Sequence, residues 1–300
     1  MPLESSVIHV TAGLKKGIGL EVFLKSYLCL NSSSQKKFIL YTQKSSLNET
    51  CALINISPDS LTLDIVYTAE NESQTLSAIN LALKVIQPSD ILLTLPSSKE
   101  EFILNNKIYS GHTEYFRETY HNSNLVMSFI SKDLNMLLLT DHIELKNVGD
   151  LISEDLIISK VSTFLNSFKN IRLIHRIFFS GINPHCGENG LMGTDDKKIV
   201  SALSKLKKIE KFKSIYINGP YAGDTLFFKE NMKNDLFVYA YHDQGLAVFK
   251  QNNGLQGINL TLGMPFIRVS PDHGTAPDLY GKNQANYLGM NYLLNEILKW

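Results

Sequence analysis

The sequence predicts an α/β fold, with a mainly parallel sheet and helices on both faces. Three observations predict it. Short apolar runs alternate with amphipathic stretches along the chain, as βαβ units do. With 300 residues, 44% of them apolar, the chain can build two domains with separate cores. Loops rich in histidine and aspartate follow several of the apolar runs, and open α/β sheets form their sites at such positions.

The elements follow in order. Residues 7–11 form a strand, and 18–28 a helix opened by Gly17-Ile18-Gly19. Residues 38–41 and 63–66 are further strands. Over 73–86, Leu76, Ile79, Leu83 and Ile86 recur at helical spacing. Residues 91–95 form an apolar strand that ends before Pro96. In the middle third, 124–130 and 136–140 are strands. Residues 154–168 form a helix with Leu156, Ile157, Val161, Leu165 and Phe168 on one side. Residues 177–182, 214–218 and 236–241 are strands, and 197–208 is a helix with a basic outer face. His142, His185, Asp224 and His242 each follow a strand, which places them at the same carboxyl edge of a sheet.

Composition excludes some classes of function. Lys plus Arg and Asp plus Glu each number 29, and no polybasic run occurs, so neither nucleic acid nor a membrane surface is an expected partner. No apolar run reaches the roughly 18 residues of a membrane span. The opening Met1-Pro2-Leu3-Glu4-Ser5-Ser6 lacks the basic and apolar regions of a signal peptide. Cys29, Cys51 and Cys186 form no pattern, which fits a reduced, cytoplasmic protein.

Neutral imidazole is a common ligand of divalent ions. His142, His185 and His242 are therefore either the ligands of one open metal site or hydrogen-bonded loop histidines. Asp141, Asp224 and Asp243 either orient such ligands or cap loops. Gly111-His112-Thr113-Glu114 is a glycine turn opening a helix. It suits either a phosphate at the helix start or an ordinary N-cap. Lys250, Asn259 and Arg268 stand in an otherwise apolar, glycine-rich region, as anion contacts or as solubilising groups. The cluster from Asp272 to Lys282 is dense in turn formers, and its glycine lets backbone amides approach a ligand. No Gly-x-Gly-x-x-Gly is present, so a Rossmann cofactor site is not supported.

The segments GHTEYF (111–116), NPHCGENGLMG (183–193), GPYAGDTLF (219–227), YHDQGLAVFK (241–250) and GINLTLGMPFIRVSPDHGTAPDLYGK (257–282) together resemble the 4-hydroxythreonine-4-phosphate dehydrogenase family of pyridoxal phosphate biosynthesis. The last of them also resembles the wider isopropylmalate and isocitrate dehydrogenase superfamily. The resemblance implies two α/β/α domains with a cleft between them, the first from 1–108 plus 250–300 and the second from 109–249. It implies an NAD- or NADP-dependent oxidative decarboxylation of 4-phosphooxy-L-threonine to 3-amino-2-oxopropyl phosphate. Its alternatives are the same chemistry on another phosphorylated hydroxy acid or a dihydrodiol carboxylate, or a catalytically silent ligand-binding relative.

By position, the resemblance assigns His142, His185 and His242 to a divalent ion, whether zinc, magnesium or cobalt. His112, Thr113, Lys250, Asn259 and Arg268 would bind substrate. His273, Gly274, Thr275, Ala276 and Asp278 would bind the nucleotide cofactor. Lys250, Asp224 and Asp243 would serve catalysis as proton-transfer, anion-binding or orienting groups. A homodimer with the active site completed across its interface is implied as well. The chain departs from the family at its start. Where the family has Gly-Asp-Pro-x-Gly-Ile-Gly-Pro-Glu, it reads Thr11-Ala12-Gly13-Leu14-Lys15-Lys16-Gly17-Ile18-Gly19-Leu20-Glu21. It also has Thr140-Asp141-His142 in place of the family's Thr-Thr-His.

Overall fold

A computed structural model describes residues 6–104, 107–122, 124–229 and 233–300; most of the opening Met1–Ser6 stretch lies outside the described residues. Along the chain the strands are β1 (Ile8–Thr11), β2 (Phe38–Gln43), β3 (Asp64–Thr68), β4 (Ile91–Thr94), β5 (Ile103–Leu104), β6 (Lys107–Ile108), β7 (Val126–Ile130), β8 (Asn135–Leu138), β9 (Arg176–Ser180), β10 (Tyr216–Tyr221), β11 (Asp235–Tyr239), β12 (Ile258–Leu262) and β13 (Ile267–Pro271). The α-helices are α1 (Gly19–Leu28), α2 (Ser32–Gln35), α3 (Lys44–Leu53), α4 (Gln74–Leu83), α5 (His112–Thr119), α6 (Val148–Leu151), α7 (Glu154–Phe168), α8 (Asp196–Leu206), α9 (Gly223–Leu226), α10 (His242–Asn253) and α11 (Leu288–Ile297). The chain divides into two compact units, Met1–Ser123 with Met264–Trp300, and Asn124–Gly263.

These limits differ from the expected 1–108 plus 250–300 and 109–249. Side-chain contacts account for the difference. Helix α5 is tied to the first unit through Tyr115, whose hydroxyl donates to Asn80 Oδ1 at 2.5 Å. His112 also packs on Phe102, with ring centroids 4.7 Å apart. Helix α10 stays whole in the second unit because it packs on β8 and β11.

In the first unit the sheet order is β13-β4-β1-β2-β3, and every pair is parallel. β1 is buried at all four positions, as a central parallel strand covered on both faces must be. Helix α1 buries Phe23 and Tyr27 against Phe38 of β2, with ring centroids 5.9–6.2 Å apart. A polar group sits inside this core. His9 on β1 lies 2.8 Å from the Tyr41 hydroxyl and 3.2 Å from Asp90, and Asp90 also accepts from the backbone N–H of Val7 and Gln87. Asp90→Ala would leave these donors without an acceptor in a buried site. It is expected to cost about 2–3 kcal/mol, read as a lowered urea midpoint at unchanged slope.

In the second unit the order is β10-β9-β11-β8-β7-β12. Strands β8 to β11 run parallel, whereas β7 is antiparallel to both β8 and β12. The reason is local: only the turn from Ser131 to Leu134 separates β7 from β8, too short for a crossover. Helix α7 is capped by Ser153, whose hydroxyl accepts from Leu156 N–H at 3.1 Å. It buries Ile157, Val161, Phe164 and Phe168. The core beneath α10 comprises Phe129, Met136, Phe178, Phe237, Tyr239, Leu246 and Phe249 with their neighbours. Burial there pushes the Tyr239 hydroxyl up to about 12. Gly245 lets α10 approach closely, since a Cβ at that position would lie 2.7 Å from Met136 Sδ.

Candidate functional site

In the second unit, His142, His185, Asp224 and His242 follow β8, β9, β10 and β11, the four mutually parallel strands, at their carboxyl ends. β8 and β11 pair directly, so the segments beyond them lie side by side. The His142 and His242 rings meet there, with centroids 5.3 Å apart. His242 is the first residue of α10, and its Nδ1 lies 3.4 Å from Asp243. Asp243 is otherwise turned to solvent, its side chain 92% exposed.

His185 is presented by an unusual backbone. Residues His185, Cys186, Gly187, Glu188 and Asn189 all have positive φ, between 44° and 78°. For the non-glycine members this left-handed conformation costs roughly 1 kcal/mol each, so the surroundings must enforce it. Buried Asp196 anchors the chain just before this turn, accepting from Ile182 N–H at 2.8 Å, Asn183 N–H at 3.2 Å and the Asn183 side-chain amide at 2.9 Å. Gln244 ties the ends of β9 and β11 together. It donates to Gly181 C=O at 2.8 Å and accepts from Ala240 N–H at 2.9 Å.

A cavity of about 320 Å³ opens here, lined by His185, Asp224, Tyr241 and Gln244 among others. Sequence reasoning missed the supporting roles of Asp196 and Gln244. Gln244 stood within a segment already singled out, while Asp196 carried no local signal. Lys250, in the last turn of α10, is exposed. Eight residues at 1.5 Å rise set it about 12 Å along the helix from His242. Asn259 lies on β12, with its Oδ1 buried and without a hydrogen-bond partner.

Whether these residues suit a metal depends on convergence. His142 and His242 supply an adjacent pair of imidazoles. Among the described residues, however, no group of three or more His, Cys, Asp or Glu side chains is placed to hold a metal ion. His185 therefore does not complete a three-ligand set with them in this geometry.

The remaining candidates belong to the first unit. His112 and Thr113 open α5 behind Gly111, whose φ of 148° a side chain would resist. His112 Nε2 is buried without a hydrogen-bond partner. Burial, and secondarily the nearby Arg268 charge, hold its pKa well below 6.5, so the ring is neutral at pH 7. Arg268 is buried on β13 and donates from Nε and Nη2 to the Thr94 hydroxyl at 2.9 and 2.6 Å. Burial brings its pKa down to about 9, which leaves it charged.

The loop from His273 to Asp278 is fixed by Thr275 C=O, which accepts from Ile18 N–H at 3.0 Å. Ala276 adopts a left-handed conformation, with φ 40°. His273 Nε2 is buried without a partner, and a Cβ at Gly274 would meet no atom within 4 Å. An unsatisfied buried polar atom beside open backbone fits a bound polar ligand.

The two depressed histidines fix a pH dependence. Burial lowers the pKa of His9 as well. Below about pH 6.5 the unfolded chain binds protons at both residues that the folded chain refuses, so stability is full above that pH and falls on acidification. Melting temperature should therefore drop as pH falls from 6.5 toward 5, and the acid slope should flatten in His112→Gln. An unchanged slope in that variant would contradict the assignment.

Comparison with known proteins follows the same lines. A family model described as pyridoxal phosphate biosynthetic protein PdxA matches residues 21–293. The 4-hydroxythreonine-4-phosphate dehydrogenase of Sulfurihydrogenibium sp. (strain YO3AOP1) is 32% identical over 307 residues, covering 93% of this chain and 93% of that protein. The crystal structure of 4-hydroxythreonine-4-phosphate dehydrogenase from Klebsiella pneumoniae superposes with a TM-score of 0.78 at 25% identity, covering 98% of this chain and 99% of that one. The corresponding enzyme from Burkholderia phymatum gives 0.76 at 26% identity, covering 97% of each.

Proposed function

This chain belongs to the PdxA family of pyridoxal phosphate biosynthetic proteins, and on that premise we propose that it is an NAD-dependent dehydrogenase that oxidatively decarboxylates 4-phosphooxy-L-threonine. The observation that carries the site assignment is the meeting of the His142 and His242 rings at the carboxyl ends of two paired parallel strands. His185 and Asp224 line the adjacent cavity.

The reaction removes a hydride from C3 and the proton of its hydroxyl. The resulting β-keto acid loses its carboxylate as carbon dioxide, and a proton taken up at the former α-carbon completes 3-amino-2-oxopropyl phosphate. When bound, a divalent ion would polarise the reacting oxygen and the nicotinamide would accept the hydride. His142 and His242 are the proposed imidazole pair for such an ion, and His185 does not join them in this geometry.

The other roles fall to this chain's own groups. Asp224, which lines the cavity, would take the hydroxyl proton. Asp243 orients His242 through its contact at Nδ1. Neutral His112 donates or accepts a hydrogen bond rather than pairing as a cation. Thr113 with the first-turn N–H groups of α5, together with Arg268, suits a phosphate. Lys250 and Asn259 complete the proposed substrate contacts, and His273, Gly274, Thr275, Ala276 and Asp278 the proposed nucleotide contacts. The reading extends to a cytoplasmic homodimer; no helix among the described residues is long and apolar enough to cross a membrane.

Product analysis tests this function. Incubation with NAD, a divalent metal and 4-phosphooxy-L-threonine should release carbon dioxide and NADH in equal amounts. NADH without carbon dioxide would mean a different oxidation.

A further inference from the structure

Strand β4 ends on Thr94, which is fully buried, and β13 carries Arg268, which is 4% exposed. The two strands pair in parallel, with Arg268 opposite Leu92. Leu92 and Thr94 are two residues apart, so all three side chains stand on one face of the sheet. The Arg268 side chain therefore runs about 7 Å along that face, from the level of Leu92 to that of Thr94. It delivers a guanidinium to the carboxyl edge of the first unit's parallel sheet, the edge at which α/β sheets bind ligands.

Thr94 sets where that charge stops. Its hydroxyl oxygen accepts from Arg268 Nε at 2.9 Å and from Nη2 at 2.6 Å. Both donors lie on one edge of the planar guanidinium, so a single acceptor between them fixes its plane as well as its position. A cation so deeply buried needs such acceptors. After burial, the Arg268 charge is the second cause that lowers the His112 pKa, so the guanidinium lies within electrostatic reach of that ring. Thr11 gives a contrast. It pairs with Thr94 in register on β1, yet its buried hydroxyl has no partner among the described residues. Burial at this edge does not by itself satisfy a threonine hydroxyl; the approach of Arg268 does so for Thr94.

We propose that Thr94 is a positioning residue for substrate binding, holding the Arg268 guanidinium at the carboxyl edge in the orientation that receives the substrate's phosphate. This rests on the reading of Arg268 as a phosphate contact. The phosphate does not react, so a displaced guanidinium weakens the ground state and the transition state alike. The consequence is a higher KM at nearly constant kcat.

Steady-state kinetics of the full chain with 4-phosphooxy-L-threonine, divalent metal and NAD test the proposal, together with calorimetric titration with inorganic phosphate. Thr94→Val keeps the branched shape and removes the acceptor. It should raise KM for 4-phosphooxy-L-threonine about tenfold or more, with kcat within about threefold and KM for NAD unchanged. Phosphate affinity should fall as well. Thr94→Ser restores the acceptor and should return both quantities to near the wild-type values. Thr11→Val removes a hydroxyl that has no partner and should change neither. Should Thr94→Val fail to fold, Thr94→Cys provides the same comparison, because its sulfur is only a weak acceptor. An unchanged KM in the folded variant, an equal rise in Thr11→Val, or no recovery in Thr94→Ser would each overturn the proposal. If the wild type shows no turnover, the substrate reading fails and the titration alone decides. Phosphate affinity that falls in Thr94→Val would then support the role of Thr94, and equal affinity or no binding at millimolar phosphate would overturn it.

Discussion

Replacing His242 by alanine is expected to lower NADH formation from 4-phosphooxy-L-threonine by about a thousandfold or more, with little change in melting temperature. The two effects separate because of where the ring sits. His242 begins α10, about one-third of its side chain is exposed, and its contacts are the His142 ring and a long approach to Asp243. Truncation removes no core packing, and substitutions of that kind usually stay within about 0.5 kcal/mol. Metal content of the purified variant supplies an independent readout and should fall below that of the wild type. A variant retaining more than about a tenth of wild-type turnover would remove His242 from the chemistry.

Phe249→Ala should have the largest effect on stability, about 3–5 kcal/mol. Phe249 is fully buried beneath α10, with its ring centroid 5.7 Å from that of Phe129. It lies two turns along the helix that begins at His242, so the same contact that stabilises the unit also fixes the start of α10. Chemical denaturation would measure the loss. The variant's turnover, assayed well below its unfolding midpoint, should fall as well. A cost below about 1 kcal/mol would mean that α10 is held mainly by its other contacts, such as Leu246 and Gly245.

Most of the sheet was legible because buried parallel strands are continuous apolar runs. β1, β4, β9 and β11 fall within two residues of expectation at each end, and α7 matches at both ends. Helix α3 was not legible. Its buried face is Ser46, Leu47, Thr50 and Cys51, half of it polar, so hydrophobic periodicity does not mark it. β12 and β13 were obscured by the glycine and polar residues that drew attention as candidate contacts. The expectation of a mainly parallel sheet holds throughout the first unit. It holds for the second unit's β8 to β11 as well; β7 is the antiparallel exception, set by the four-residue turn to β8.

The site was legible in part. Position after a strand placed His142, His185, Asp224 and His242 at one carboxyl edge, since strand direction follows from chain order. The left-handed turn that carries His185 was not legible, because four of its five positive-φ residues are not glycine. Nor does strand order set side-chain distances. The His142–His242 contact required coordinates. The depressed pKa of His112 likewise arises from burial that one sequence does not display.

The most direct test of the account is NADH formation by the purified chain with 4-phosphooxy-L-threonine and NAD, before and after removal and restoration of divalent metal. Turnover that is lost on chelation and recovered on adding back zinc, magnesium or cobalt is the expected result. Absence of turnover with metal present would contradict the assigned substrate, and full turnover after exhaustive chelation would contradict the histidine site.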